Sequence, residues 1–286
     1  MRISFRLLIG LVLAAVLSAG TAPTVRASEP LRVMTFNVRY AEGKDGINAW
    51  PNRRDLAVKT ILDRHPALLG TQELLLPQAK YFAAHLTGYA WFGRGRNGNE
   101  IDANDNEHMG VFYQTSRLQL LDSGNFWLSD TPEVPGSSNF GQSMPRMVTW
   151  GYFRDRRSGR RFHYFNTHFP HQADAESIRE RCAALIRSRI EKLPADEPII
   201  LTGDFNTTPD LAAHALLTTL LHDAREQAPV RIGPDNTFHD FGKTPSKRID
   251  WILYRGLSVD RVETVTDHDG AIYPSDHYPV VADFQL

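Results

Sequence analysis

The chain has 286 residues, 42% of them apolar, and its 32 basic and 33 acidic side chains leave it close to neutral. An apolar share of that size is ample for a buried core, and the lack of a basic excess disfavours a processive binder of duplex nucleic acid without excluding a nuclease that has a local patch. The lone cysteine, Cys182, excludes an internal disulfide.

Arg2 and Arg6 precede an apolar run from Leu7 to Leu17, and small residues follow it. This is the pattern of a signal peptide, and the run is too short for a bilayer span, which needs about 20 apolar residues. Residues 1–27 are therefore expected to be removed on export, with cleavage after Val25-Arg26-Ala27 or near Ser18-Ala19-Gly20. The mature chain is expected in the periplasm or outside the cell. Loss of Arg2, Arg6 and Arg26 leaves 29 basic against 33 acidic residues, a net charge near −4. No Ser/Gly/Pro-rich linker, long charge run or internal repeat interrupts residues 28–286, which read as one catalytic domain, expected to be monomeric.

A first β-like run, rich in branched and aromatic residues, covers Leu31 to Val38, and a helical pattern follows from Asn52 to Arg64. Ala67 to Thr71 reads as a strand and Leu76 to Leu86 as a helix. Met109 to Tyr113, Met147 to Phe153 and Phe162 to Thr167 read as strands. Ala173 to Leu193 mixes Ile178, Cys182, Leu185 and Ile186 with charged neighbours, the pattern of a helix, and Cys182 reads as a half-buried helical thiol because no polar activating motif surrounds it. Ile199 to Thr202, Ile249 to Tyr254 and Tyr278 to Phe284 complete the strands. Helices between strands argue for α/β layers, while neighbouring strands without helices, as from Met147 through Thr167, argue for antiparallel pairs. The expected architecture is a four-layer α-β-β-α sandwich, with two mixed, largely antiparallel sheets flanked by helices.

Ionisable and amide side chains gather at the tails of these strands: Asn37, Glu73, His168, and Asp204 with Asn206. Asp250 lies within a strand pattern, and Asp276 and His277 directly precede another. Strand tails that converge on one rim of a sheet build a cleft from distant parts of the sequence. Each motif alone has a plain structural reading. Asp204 and Asn206 suit an Asx-turn, Asn37 can simply end a strand, and Glu73 is favourable near the start of the next helix.

Taken in order, Thr35-Phe36-Asn37-Val38-Arg39, Thr71-Gln72-Glu73, Asn166-Thr167-His168, Gly203-Asp204-Phe205-Asn206, Arg248-Ile249-Asp250-Trp251-Ile252 and Ser275-Asp276-His277-Tyr278-Pro279-Val280 resemble the endonuclease/exonuclease/phosphatase superfamily. The resemblance spans nearly the whole mature chain. That superfamily includes deoxyribonucleases, abasic-site endonucleases, inositol polyphosphate phosphatases, sphingomyelinases and deadenylases, so the motifs indicate the reaction better than the substrate. Phe126-Trp127-Leu128-Ser129-Asp130-Thr131-Pro132, with Met144-Pro145-Arg146 after it, resembles a bacterial subgroup.

The resemblance implies a divalent cation, Mg²⁺ with Mn²⁺ or Ca²⁺ as alternatives. Carboxylate and amide oxygens are hard ligands that hold such an ion while leaving positions for water and substrate. Glu73 is the implied principal ligand. Asn37 would give an amide oxygen to the metal or a hydrogen bond to the phosphate, and Asp276 would be a further acidic ligand, direct or through water. Asp250 would orient His277, whose free nitrogen takes a proton from water. Asp204 is the rival base, so activation of water is assigned to Asp204 and His277 jointly. Asn206 would hold water or a phosphate oxygen. His168 would donate to the non-bridging oxygens, oriented by Glu107, with Glu100 a nearby competitor.

Arg39 stands where some nucleic-acid-cleaving relatives carry an acidic residue, which favours a contact with substrate phosphate over a second acidic metal position. Arg146 and His171 match positions of the bacterial subgroup and are candidate substrate contacts, with a surface ion pair or solvated loop as the alternative for each. Lys243, Lys247 and Arg248 suit either an anion-facing rim or an ordinary solvated turn. The expected activity is hydrolysis of a phosphodiester or phosphomonoester by metal-assisted in-line attack of water, the partner being a phosphorylated substrate. An extracellular nuclease is the competing enzyme, and nucleic acid is not favoured by the net charge. A non-catalytic binding module on the same fold is the competing class, and a complete acid, base and metal set argues against it. A metal-independent hydrolase lacks a recognisable nucleophilic Ser or Cys motif.

Overall fold

Side-chain alternation within the strands fixes the layering. The computed structural model describes residues 29–98, 106–243 and 247–286, so the expected signal peptide and Glu100 lie outside the described residues. The first half comprises β1 (Leu31–Asn37), α1 (Trp50–Arg64), β2 (Leu68–Gln72), α2 (Leu76–His85), β3 (Tyr89–Phe92), β4 (Val111–Gln114) and β5 (Leu118–Trp127). β6 (Met147–Asp155), β7 (Arg161–His168), α3 (Glu176–Ile190), β8 (Ile199–Asp204), α4 (Ala212–Thr218) and β9 (His222–Asp223) follow. The chain continues through α5 (Ala224–Gln227), β10 (Val230–Ile232), β11 (Asp250–Arg255), β12 (Ser258–Thr264) and β13 (Val280–Gln285).

One sheet runs β10-β12-β13-β1-β2-β4-β3 and the other β5-β6-β7-β8-β11-β9. Parallel pairs occur at β1/β2, β10/β12 and β7/β8, and the remaining pairs are antiparallel. In β1, Leu31 and Val33 point between the sheets, against Tyr164, Ile200 and Ile252 of the other sheet. Met34 and Phe36 point outward, against Ala57 and Ile61 of α1 and Phe82 of α2. On the far side, Phe165, Leu201 and Leu253 pack against Cys182 and Ile186 of α3 and Leu217 of α4. The layers are thus helices, sheet, sheet and helices, as expected.

The space between the sheets changes character along the strands. At one end it is apolar. Further on, Gln72 Nε2 donates to Asn166 Oδ1 (2.7 Å) and Thr35 Oγ1 (3.1 Å), and the Tyr164 and Thr202 hydroxyls lie 2.6 Å apart. Gly70 is needed here, since a Cβ would stand 2.2 Å from the Tyr164 hydroxyl and 2.6 Å from Asn166 Oδ1. Hydrogen bonds within this layer offset much of the cost of carrying polar groups across the core, although Gln72 Oε1 is buried without a partner among the described residues. At the far end the inward positions become Asn37, His168, Asp204 and Asp250.

The helices differ from their sequence patterns at the ends: α1 begins earlier, at Trp50, and α2 stops earlier, at His85. Pro51 lies in the first turn of α1, where its missing N–H leaves no bond unmade, and His65 closes that helix in the left-handed conformation (φ 47°) just before Pro66. α3 starts at Glu176 rather than Ala173. β13 starts at Val280, leaving Asp276 and His277 in the loop that precedes it. β3, β5, β9, β10 and β12 have no counterpart among the strands expected from sequence. β5 is a half-exposed edge strand whose alternation breaks at a register shift between Leu120 and Asp122.

Candidate active site

Strand register brings the rim residues into line. Asp250, first residue of β11, stands opposite Asp204 at the end of β8, and Asp204 stands opposite His168 at the end of β7. With a side-chain period of two, all three face the other sheet. There Asn37 ends β1, and its Nδ2 donates to Asp204 Oδ2 (2.8 Å) and Glu73 Oε1 (3.1 Å). Arg39, Glu73 and Asn206, each just beyond a strand, adopt left-handed φ values of 51°, 59° and 50°. Non-glycine residues seldom hold that conformation, and its repetition concentrates backbone strain at this rim.

The loop before β13 is anchored from two sides. Ser275 Oγ donates to the Asn37 carbonyl (2.6 Å). Arg53 of α1, wholly buried, donates to the carbonyls of Asn48, Val38, Pro274 and Arg39. His277 is thereby held with Nδ1 2.9 Å from Asp250 Oδ2 and Nε2 3.8 Å from Asp204 Oδ2. The Phe238 ring lies over it with centroids 5.0 Å apart. The structure therefore brings Asp250, His277 and Asp204 together, as the resemblance implies.

Burial and charge set the protonation states. Burial pushes Asp204 upward, and the carboxylates of Asp250 and Glu73 add to this, so that its carboxyl rises to about 7 despite the opposing His277 and Asn37. Burial opposes the charge of His277, yet Asp250, Asp204 and Asp276 outweigh it and raise its pKa well above the usual value. His168 goes the other way, lowered by burial and by Arg146, Arg96 and His277. Burial alone would raise Glu73, but His277, Arg39 and hydrogen bonds from Asn37 and the Tyr40 N–H keep it below the ordinary carboxylate range. Burial raises Asp276, with Glu73 adding to the effect and His277 and Arg39 opposing it.

Glu73, His168 and Asp204 each offer a ligand atom, all within 4.8 Å of one another. Two carboxylates and an imidazole of low basicity fit a divalent cation that keeps open positions. Asn37 turns its nitrogen toward these carboxylates, while its oxygen accepts the Arg39 N–H (3.0 Å). In that orientation it is a donor, and it becomes an oxygen ligand only if the amide flips. Asp276 is not in the compact group, and its Oδ2 lies 3.7 Å from Arg39 Nε. Arg39 itself is held in a two-pronged contact by Asp45 (2.9 and 3.1 Å). A further group, His214 with Asp223 and Glu226, already holds the Arg248 guanidinium, 2.9 Å from each carboxylate. Arg248 is therefore a structural ion pair rather than part of an anion-facing rim, whereas Lys247 lines the cleft and Lys243 is exposed beside Asp240.

The contact expected between Glu107 and His168 is absent. Arg96 captures the Glu107 carboxylate, and His168 Nδ1 is buried with no hydrogen-bond partner among the described residues. Asn206 N–H donates to Asp204 Oδ1 (3.0 Å), the Asx-turn geometry, and its side chain donates to the Phe169 carbonyl (3.1 Å) at the cleft wall. Arg146 is buried with Nη2 3.2 Å from His171 Nδ1, so it is not a surface ion pair, whereas His171 is exposed on the loop after β7 and lines the cleft. Cys182 is buried and its thiol is pushed up to about 12, so it is unreactive.

Glu73, His168, Asp204, Asn206, Asp276 and His277 line one cleft of about 1040 Å³ together with Arg39, Arg96, Glu107, Arg146 and His171, and Asn37 and Asp250 lie deeper. Sequence reasoning missed Asp45, Phe238 and Arg96. Only Arg96 carries a signal, since it lies in Gly93-Arg94-Gly95-Arg96-Asn97-Gly98, a composition suited to a loop that faces an anion.

Comparison with known proteins agrees with this geometry. The chain matches the endonuclease/exonuclease/phosphatase family over residues 34–277. An endonuclease/exonuclease/phosphatase from Bacteroides vulgatus is 33% identical with a TM-score of 0.83, over 90% of this chain and 98% of that one. A mannosyl-6-phosphatase from Bacteroides thetaiotaomicron is 30% identical with a TM-score of 0.82, over 90% and 100%. TDP2 of D. rerio, complexed with a single-strand DNA product, is 20% identical with a TM-score of 0.71, over 90% and 99%, and shares the fold. The chain thus belongs to the endonuclease/exonuclease/phosphatase family, a family of hydrolases that act on phosphoester bonds.

Proposed function

We propose that the protein is an exported, divalent-metal-dependent phosphomonoesterase that removes phosphate from a phosphorylated sugar. The observation that carries the hydrolytic part is the buried line of Asp250, His277 and Asp204, with its 2.9 Å hydrogen bond, beside Glu73. The sugar comes from the likeness to the mannosyl-6-phosphatase, and export from the signal-peptide pattern in residues 1–27.

Glu73, with Asp204 or His168, would hold a Mg²⁺ ion, with Mn²⁺ or Ca²⁺ as alternatives, and the bound ion would supply charge neutralisation for the phosphoryl and leaving oxygens. Asp250 fixes the His277 ring through Nδ1 and leaves Nε2 on the side of Asp204. The Asp204 and His277 pair takes the proton as the water oxygen bonds to phosphorus and the phosphorus bond to the sugar oxygen breaks. A carboxyl near 7 suits that exchange at neutral pH. His168, kept neutral, donates an N–H to a non-bridging oxygen, and Asn206 holds water or a phosphate oxygen. Arg39, clamped by Asp45 at the cleft wall, contacts the phosphate.

The test is phosphate release from mannose 6-phosphate and other sugar phosphates, alongside a DNA oligonucleotide with internal phosphodiesters, in Mg²⁺, Mn²⁺ and EDTA. Sugar phosphates should be hydrolysed and EDTA should abolish the activity. Activity that persists in EDTA, or cleavage confined to the oligonucleotide, overturns the reading. Retention of the full-length chain in the cytoplasm overturns export.

A further inference from the structure

We infer that the β6 side of the cleft is a second anion subsite built around Arg146, and that the sugar substrate carries a second phosphate that this subsite holds. The inference rests on the sugar-phosphate reading above and deepens it.

Arg146 is 2% exposed, and its Nε and Nη1 have no hydrogen-bond partner among the described residues. Its one bond, Nη2 to His171 Nδ1 at 3.2 Å, is to another nitrogen. The nearest acidic candidate, Glu107, is committed to Arg96. Burial and Arg96 lower the guanidinium only to about 10, so it remains charged at neutral pH. A buried charge whose donors are unpaired is costly, and an arriving anion removes that cost. The guanidinium fork also matches phosphate geometry. His171 reinforces the site. Because its Nδ1 accepts from Arg146, the neutral ring carries its proton on Nε2, a further donor in the cleft.

Strand order sets apart the backbones that carry Arg146 and the hydrolytic groups. Asp204 ends β8 and His168 ends the neighbouring β7, while Arg146 immediately precedes β6, one strand further. At about 4.8 Å between strands, the Arg146 backbone lies roughly 10 Å from that of Asp204, with His168 between them. That is the scale of a group attached across a sugar ring. The cleft, about 1040 Å³, is at the upper end of the range for small-molecule sites and has room for two phosphates.

The experiment compares mannose 6-phosphate with mannose 1,6-bisphosphate, which differ only in the second phosphate. Binding is measured by calorimetry on metal-loaded Asp250→Asn protein, and turnover on the otherwise unmodified chain, each with and without Arg146→Met. The bisphosphate should bind at least about tenfold tighter, and Arg146→Met should remove most of that difference, as expected for a charge-assisted contact. The kcat/KM ratio of bisphosphate to monophosphate should fall by a similar factor. His171→Ala, at an exposed position, should lower the same ratio less, which keeps the test open if Arg146→Met does not fold. Equal weakening of both ligands would mean that Arg146 holds the reacting phosphate, and equal binding by the unmodified site would remove the second anion; either overturns the inference. A larger Arg146 dependence for a dinucleotide with a terminal phosphate overturns the sugar assignment. Binding that depends on Arg146 without turnover of either sugar leaves the subsite standing and defeats the proposed activity.

Discussion

Exchange of Asp250 for Asn keeps the shape of the side chain and removes the charge that faces His277. The structure gives reason to expect a large effect. Only Asp250 Oδ2 is bonded, at 2.9 Å to His277 Nδ1, and Oδ1 is buried without a partner among the described residues. Asp250 is the first of the carboxylates that hold the His277 ring basic against its burial. An amide at this position supplies no such charge, and it can turn its own N–H toward the ring and reverse the tautomer. Positioned acid–base groups contribute about 10² to 10⁴ in rate, so a hundredfold loss, about 2.7 kcal/mol, is the minimum expected for Asp250→Asn. His277→Ala should lose as much. If Asp250 acts through His277, the double variant should lose little more than either single one, a coupling of about 2.7 kcal/mol. The assay is kcat at saturating Mg²⁺ near neutral pH, with folding checked by thermal melts. A double variant slowed by the product of the single losses, about 10⁴-fold or more, would show two independent residues and refute the pairing.

Glu73→Gln should raise the Mg²⁺ concentration for half-activation at least about tenfold while leaving the melting temperature near that of the parent, since it exchanges a charged hard ligand for a neutral one; an unchanged requirement removes Glu73 from the metal. Arg53→Met leaves the carbonyls of Asn48, Val38 and Pro274 without the Arg53 donor and that of Arg39 with Gln78 alone, and a denaturant titration should show at least about 3 kcal/mol of lost stability. A loss under about 1 kcal/mol would mean that water replaces the guanidinium. His239 accepts the Gly242 N–H at Nδ1 (3.0 Å), and burial together with His277 lowers it to about 4, whereas a histidine in the unfolded chain titrates near 6.5. The unfolded state therefore takes up its proton first, so this contribution to stability is complete above about 6.5 and is lost as pH falls toward 4. His239→Asn, which keeps an acceptor for Gly242, should flatten that part of the urea midpoint against pH, and parallel curves for the two proteins would exclude His239 as the source.

The sequence made the rim legible for a physical reason. Asn37, His168, Asp204 and Asp250 each begin or end an apolar run, and the strand period of two sends them to the same side as the core residues that precede or follow them. A polar residue at the mouth of such a run has somewhere to go only if strands converge there. The interior offers no such signal. Arg53, between Asn52 and Arg54, reads as a solvated helical position, and its complete burial depends on carbonyls from loops far away in sequence. β5 is obscured by Asp122-Ser123-Gly124 on an exposed edge, and β12 by the irregularity between Val259 and Arg261.

The same distinction explains why the reaction was easier to read than the substrate. Apart from His277, which an anchored loop carries, the groups assigned to water, metal and the reacting phosphate stand on or just past strands whose register sets their spacing. Those that face the rest of the substrate come from loops, where pairing is decided by what arrives from elsewhere in the fold. Arg96 captures Glu107, so His168 loses the orienting partner that resemblance alone implies. Asp45 fixes the direction of the Arg39 guanidinium, whereas Arg146 keeps Nε and Nη1 unpaired among the described residues. How each arginine is paired is therefore a property of the tertiary structure, and a one-dimensional pattern cannot supply it.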